Sequence, residues 1–320
     1  MKALVAQSLS GPSGLSYTDV DDAAGDSAVV VDVGAAGVCF PDLLMLQGGY
    51  QMKMEPPFIP GVEVAGTVRS APEGSGFTAG QRVSGFSLLG GWAERVALPV
   101  DSVTPTNPDL DDASAVCLLG NYYTMHFALA RRAALLAGET VLVLGSAGGV
   151  GTAAIQVAKA MGARVIAMVH RPGATEFVES LGADVVLPLT DGWAKAVRDH
   201  TDGRGVDVVV DPVGGDAFDD AIRVLATEGR LLVIGFAAGG IPTVKVNRLL
   251  LRNVSVVGVG WGEFAGRTPG AQAMVGAGVA GLVDAGLRPA PPVRYPLADG
   301  RAALEALAAG EVRGKLVLVP

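Results

Sequence analysis

The pattern of apolar and polar positions changes texture near residue 120. Before it, apolar or alternating runs at residues 29–33, 62–68 and 93–98 are separated by clusters of Gly, Pro, Asp and Ser, and residues 1–6 form a short apolar opening. That rhythm predicts a β-rich domain. Beyond residue 120, short buried strands alternate with helices, the signature of βαβ units that build a parallel sheet. Residues 141–144 predict a strand, and 150–161 an Ala-rich helix closed by Gly162 at the usual C-terminal glycine position. A second strand at 165–169 and a helix at 175–181 ended by Gly182 follow. Strands at 185–187, 206–210 and 231–234 complete the set.

After Gly258 the pattern is mixed. A Gly/Ala-rich, helix-like stretch at 271–282 precedes an amphipathic helix at 298–309 and a terminal strand at 316–319. A tail of this kind is expected to return and complete the first domain. The expected organisation is α/β: residues 1–119 with 259–320 form a β-rich domain, and 120–258 a doubly wound parallel-sheet domain.

Composition narrows the partners. The 320-residue chain carries a formal charge of −8 with no dense run of Lys and Arg, which argues against nucleic acid, whose phosphates demand basic patches. The apolar stretches are broken before they reach the roughly 20 residues a membrane span requires. Residues 1–6 are too short for a signal-peptide core. Both observations point to a cytoplasmic protein with no membrane partner. The two cysteines, Cys39 and Cys117, form neither a disulfide framework nor a CxxC metal pair.

The sharpest chemical signal is Gly145-Ser146-Ala147-Gly148-Gly149-Val150-Gly151, between the strand at 141–144 and its following helix. Gly145 permits a sharp exit from the strand. Gly148 and Gly149 let backbone approach a pyrophosphate, and Gly151 permits close packing. The helix N-terminus, opening at Val150, offers unpaired N–H groups beside Ala147. This context predicts dinucleotide binding. NAD sites usually place an Asp or Glu about 20 residues further on, at the tip of the second strand. Here the tip reads Met168-Val169-His170-Arg171-Pro172. With no carboxylate to repel a 2′-phosphate and an arginine able to pair with one, His170 and Arg171 point to NADPH. The alternative for Arg171 is a solvated surface charge.

With these residues in place, the chain resembles the zinc-independent medium-chain dehydrogenase/reductase superfamily, in its quinone oxidoreductase (zeta-crystallin-like) branch. Several motifs carry the resemblance: Ala36-Gly37-Val38-Cys39-Phe40-Pro41-Asp42, Gln47-Gly48-Gly49-Tyr50, and the run from Pro57 to Gly66 containing Gly61-Val62-Glu63. Asp211-Pro212-Val213-Gly214-Gly215 and Gly314-Lys315-Leu316-Val317-Leu318 extend it over nearly the whole chain. The resemblance implies a GroES-like catalytic domain, a Rossmann domain, a cleft between them, and a homodimer. Zinc alcohol dehydrogenases share that architecture. Cys39 falls where their first catalytic zinc ligand stands, but Val62 replaces their histidine, and the four cysteines of their structural zinc lobe are absent. A catalytic zinc needs about three protein donors, so no metal is expected.

Without a Lewis acid, an acceptor must already be electrophilic, as quinones and conjugated enones are. The resemblance implies an NADPH:quinone reductase. The alternatives are a reductase of enones or 2-enoyl thioesters, and a non-catalytic, NADPH-binding, crystallin-like protein. Tyr50 matches a tyrosine that lines the substrate cleft in quinone reductases and one that donates a proton in enoyl reductases; a half-exposed loop aromatic is the plain alternative. Cys39 and Tyr123 are expected at the substrate, with a buried structural thiol the plainer reading of Cys39 and packing the alternative for Tyr122 or Tyr123. Thr124 and the turn Gly235-Phe236 are expected at the nicotinamide end. Lys315 is expected at the adenine-side phosphate, with a surface lysine the alternative. Asp211 is expected to fix a turn.

Overall fold

A computed structural model describes residues 1–171 and 173–320. By internal contacts the chain divides into two compact units, Met1–Gly120 with Ala290–Pro320, and Asn121–Pro289. In chain order, the first unit contributes β1 (Lys2–Ala6), β2 (Leu15–Asp19), β3 (Ala28–Val38), β4 (Glu63–Ser70), β5 (Arg82–Phe86), β6 (Arg95–Pro99) and β7 (Val103–Pro105). The second contributes β8 (Thr140–Val143), β9 (Arg164–Val169), β10 (Val185–Pro188), β11 (Val206–Asp211), β12 (Leu225–Val233) and β13 (Ser255–Gly258). The chain then returns to the first unit for β14 (Val293–Pro296) and β15 (Leu316–Val319).

The first unit is built on a seven-stranded sheet in the order β14-β15-β3-β4-β5-β7, with β6 also paired to β3. The long strand β3 is the hub. Its inward residues Val29 and Val31 are fully buried with Leu98, Trp92 and Leu4. The terminal strand does return: β15 pairs antiparallel with β3, placing Leu316 opposite Val38 and Val317 opposite Gly37. The Trp92 indole N–H donates to the Gly37 carbonyl at 2.9 Å, satisfying the one polar atom of the largest core side chain.

The second unit is a six-stranded, fully parallel sheet in the order β10-β9-β8-β11-β12-β13. Counted from β8 this is 3-2-1-4-5-6, the order of dinucleotide-binding folds. Strands β8 and β11 are buried throughout and centre on the apolar runs 141–143 and 208–210, as central parallel strands do. Their flank is tied by a two-pronged ion pair in which Arg230 donates to both oxygens of Glu139, at 2.6 and 2.7 Å.

One expected boundary is corrected. Residues 259–289, assigned from the sequence to the first domain, belong to the second unit. Helix Ala271–Asp284 packs on the helical turn Tyr123–His126, and its glycines explain why. A Cβ at Gly276 would lie 2.6 Å from the Tyr123 hydroxyl, and one at Gly278 would lie 2.2 Å from the His126 ring. Helix Trp261–Arg267 adds an aromatic cluster, with Phe264 stacked on Phe127 at 4.7 Å between centroids and Trp261 beside both Phe127 and Tyr123. Among the described residues, no helix is long and apolar enough to cross a membrane.

Candidate active site

In the second unit the glycine loop takes the form its sequence demands. Gly145 leaves β8 with a φ of +60°, a left-handed conformation that favours glycine. Ser146 is fully buried and its hydroxyl donates to the Val143 carbonyl at 2.8 Å, pinning the turn. Helix Gly149–Ala160 then opens at Gly148 with no side chain capping it. Its first-turn N–H groups have no intrahelical partner, which suits an anion. Gly151 lies hard against the loop's own backbone: a Cβ there would fall 2.3 Å from the Gly145 carbonyl oxygen and 2.6 Å from the Ser146 Cα. The glycine is required by this approach more than by helix-on-sheet packing.

At the end of β9, His170 and Arg171 lie together, with Arg171 Nε 3.2 Å from His170 Nε2. The turns that follow β11 and β12 form one structure. Asp211, buried at the end of β11, accepts from the backbone N–H groups of Val213 and Gly214 at 2.9 and 2.8 Å, so it fixes a turn. Burial raises its carboxyl above the usual range. The turn after β12 bonds to it, with Ala237 N–H donating to the Pro212 carbonyl. This leaves Gly235 partly exposed and the Phe236 ring exposed beyond the carboxyl ends of the strands, where ligands of such sheets bind. Thr124 is partly exposed on the turn Tyr123–His126.

Of the two expectations for Tyr123, substrate cleft and packing, its 5% exposure and the edge-on contact of its ring with Trp261 favour packing. One expected role is corrected. Lys315, expected at the adenine-side phosphate or on the surface, is at neither. Its ammonium is buried in the first unit and donates to Glu63 Oε2 at 2.6 Å and to Cys39 Sγ at 2.9 Å. The Cys39 thiol donates in turn to Glu63 Oε1 at 3.1 Å, closing a ring of three groups. Register explains the meeting, since Leu316 opposes Val38 and the next step brings Lys315 to Cys39. Space is left for it by glycine: a Cβ at Gly120 would fall 1.9 Å from Glu63 Oε1, and one at Gly37 would fall 2.4 Å from Oε2.

Burial, reinforced by Glu63, holds the Cys39 thiol well above its ordinary range, while Lys315 remains firmly charged between Cys39 and Glu63. Asp42 lies at the same end of helix Phe40–Leu46. Its Oδ2 accepts from the Cys39 N–H at 2.7 Å, whereas Oδ1 is buried with no hydrogen-bond partner among the described residues. Burial drives this carboxyl up to about 7. Tyr50 sits in the loop beyond that helix, half-buried against the core of the first unit. Burial first, then Cys39 and Asp42, push its phenol above the usual range, so it stays protonated.

A metal does not fit this donor set. Val62 is apolar, and the lone pairs of Cys39 and Glu63 are already claimed by the Lys315 ammonium. Among the described residues no group of three or more His, Cys, Asp or Glu could hold an ion.

Comparison with known proteins agrees with both units. Residues 25–108 match the alcohol dehydrogenase GroES-like domain, and residues 149–275 match the family described as zinc-binding dehydrogenase. A probable oxidoreductase from Mycobacterium abscessus is 62% identical, with a TM-score of 0.93 covering 100% of this chain and 99% of that one. The chain belongs to the medium-chain dehydrogenase/reductase superfamily, in its quinone oxidoreductase branch. Quinone oxidoreductase-like protein 2 of Bos taurus is 38% identical over 239 residues, 74% of this chain and 68% of that protein. The quinone oxidoreductase of Thermus thermophilus, whose solved structures include a complex with NADPH, is 33% identical, with a TM-score of 0.83 over 100% of both chains. Within this family the Lys315 ring is the feature that the sequence motifs do not reveal. Lys315 lies 276 positions from Cys39 and 252 from Glu63 along the chain, and only the β3–β15 register joins them.

Proposed function

We propose that the chain is an NADPH-dependent, zinc-independent reductase that passes a hydride to a quinone. The observation that carries this reading is the Lys315 ammonium held between Cys39 and Glu63, where a metal would need those same donors. A fixed, buried ammonium cannot open a coordination position for a carbonyl oxygen as a Lewis acid does. The acceptor must then delocalise its own developing charge, as a quinone does. The family relationship supports the same class of acceptor.

The residues of the loop fit the cofactor. Backbone N–H groups from Gly145 and Ala147 through Gly148, Gly149, Val150 and Gly151 would hold the pyrophosphate, and His170 with Arg171 the 2′-phosphate. Thr124 and the turn Gly235-Phe236 would orient the nicotinamide end. When bound, the cofactor supplies the hydride; the protein supplies orientation and exclusion of water. Tyr50, kept protonated by its half-buried loop, would line the acceptor and donate a hydrogen bond or a proton to the oxygen that gains charge. Cys39 would act there only through its place in the ring. The working form is proposed to be a cytoplasmic homodimer.

The test is steady-state NADPH oxidation by the chelator-treated protein, with a para-quinone and a 2-enoyl thioester side by side and NADH as the control cofactor. Rapid quinone reduction with preference for NADPH is expected. Activity on the thioester alone would overturn the quinone assignment and make Tyr50 the proton donor of an enoyl reductase. No saturable turnover with either would leave a cofactor-binding protein without catalysis.

A further inference from the structure

The ring of Cys39, Glu63 and Lys315 holds a sulfur, a nitrogen and a carboxylate in direct contact with one another. The Lys315 ammonium has three donors; one goes to Glu63 and another to Cys39, so that Nζ and Sγ stand 2.9 Å apart, closer than their ordinary van der Waals contact. The carboxylate touches both, at 2.6 Å from Nζ and 3.1 Å from Sγ. A Cβ at Gly37 or at Gly120 would overlap the carboxylate oxygens, so both glycines leave the room that Glu63 occupies. Cys39 is only partly buried as a residue, whereas Cys117 is buried and donates to the Ala113 carbonyl instead.

We propose that Cys39 and Lys315 form a covalent, oxygen-inserted cross-link, S–O–N, on exposure to dioxygen, with Glu63 as the base that frees the amine. The separation leaves room for one bridging oxygen with little backbone movement, and the fixed carboxylate supplies the proton acceptor that an ammonium needs before its nitrogen can bond.

In the balanced step, the Cys39 S–H and the Lys315 ammonium, with ionised Glu63 and one O2, give Cys39–S–O–NH–Lys315, protonated Glu63 and one water. One oxygen atom enters the bridge and the other leaves as water. Sulfur and nitrogen each lose two electrons, and dioxygen takes up all four. Two equivalents of a dithiol return the four electrons and restore the thiol and amine. Since burial keeps Cys39 as a thiol rather than a thiolate, the reaction is expected to be slow and selective, unlike the indiscriminate oxidation of an exposed thiolate. The bond would tie β15 to the end of β3 and remove the only cation in contact with Glu63 among the described residues. It is independent of which acceptor the protein reduces.

The experiment is intact-mass spectrometry and peptide mapping of the full-length protein, one portion held anaerobic with dithiothreitol and one left in air-saturated buffer. The aerobic sample is expected to gain one oxygen and lose two hydrogens. A cross-linked peptide should contain Cys39 and Lys315, and dithiothreitol should abolish it. Cys39→Ser and Lys315→Arg should each lack the species; the wild-type result stands without them should either fail to fold. Complete alkylation of Cys39 after aerobic incubation and denaturation would overturn the proposal. So would oxidation of Cys39 to sulfenic or sulfinic acid without a link to Lys315.

Discussion

At the scale of single residues, two side chains define what can be tested. Arg171 stands at the tip of β9 beside His170, with no carboxylate in the neighbouring sequence to oppose a phosphate. A charge-assisted hydrogen bond contributes about 1.5–3 kcal/mol, or roughly a tenfold or greater change in affinity. Arg171→Ala is therefore expected to raise the KM for NADPH about tenfold or more while leaving kcat and the KM for NADH nearly unchanged. Equal losses with both cofactors in steady-state assays would remove Arg171 from phosphate recognition. Asp42 offers a test in pH. Its folded carboxyl is raised to about 7 from an ordinary value of 3.8, so between those values the folded state binds more protons than the unfolded one. Stability from this group is thus fully present below about 4 and is lost as pH rises through about 7. Asp42→Asn, which stays neutral, should gain thermal stability relative to the wild type on passing from pH 5 to pH 8. A difference between the two melting temperatures that does not change with pH would show that Asp42 is not the titrating group.

At the scale of elements, the β3–β15 pairing decides more than either strand's own sequence. Breaking a buried ion pair by removing one partner costs about 3–5 kcal/mol, because a charge is left without compensation. Lys315→Met is expected to strand Glu63, which is only 1% exposed, and to lower the urea midpoint of the first unit markedly. Adding Glu63→Leu should recover most of that loss, since apolar replacement of a whole buried pair is often neutral. If the double variant is as unstable as the single one, packing of the lysine stem, rather than its charge, holds the strands.

The same pairing shows where sequence reasoning reaches and where it stops. Strands β8, β9 and β11 are legible because their centres are the apolar runs that buried parallel strands show, and the loop after β8 because its glycines stand between a strand and a helix. The helix at 271–284 is legible as a helix, but its unit is not. Its Gly/Ala composition does not name a partner, and only contact with Tyr123 and His126 reveals what Gly276 and Gly278 accommodate. Lys315 escapes sequence reasoning for a related cause: nothing local distinguishes a buried lysine from a surface one until the register brings it to Cys39.

At the scale of the whole molecule, one surface of the second unit is built unlike the rest. Among the described residues, strand β13 ends the parallel sheet with its outer edge unpaired, and its residues are partly or fully exposed. Beside it in sequence, helix Asn247–Arg252 exposes Leu250 and Leu251 at 77% each, and Val246 and Ile241 are exposed at 74% and 76%. An open, apolar sheet edge is an aggregation hazard that proteins normally blunt with charge, proline or a covering element. Here the flanking surface is aliphatic, which is stable in water only when something covers it. A second copy of the chain meets both needs, because a two-fold axis lets like edges and like apolar patches cover one another. Multi-angle light scattering is expected to give twice the mass of the 320-residue chain. The paired substitution Leu250→Glu with Leu251→Glu should shift it to the monomer, since four like charges would then face each other across the axis. The glycine loop and the Lys315 ring contain none of these residues, so the monomeric variant should still bind NADPH and keep its circular dichroism. A wild-type mass of one chain at micromolar concentration would mean that this edge is covered by something other than a second copy.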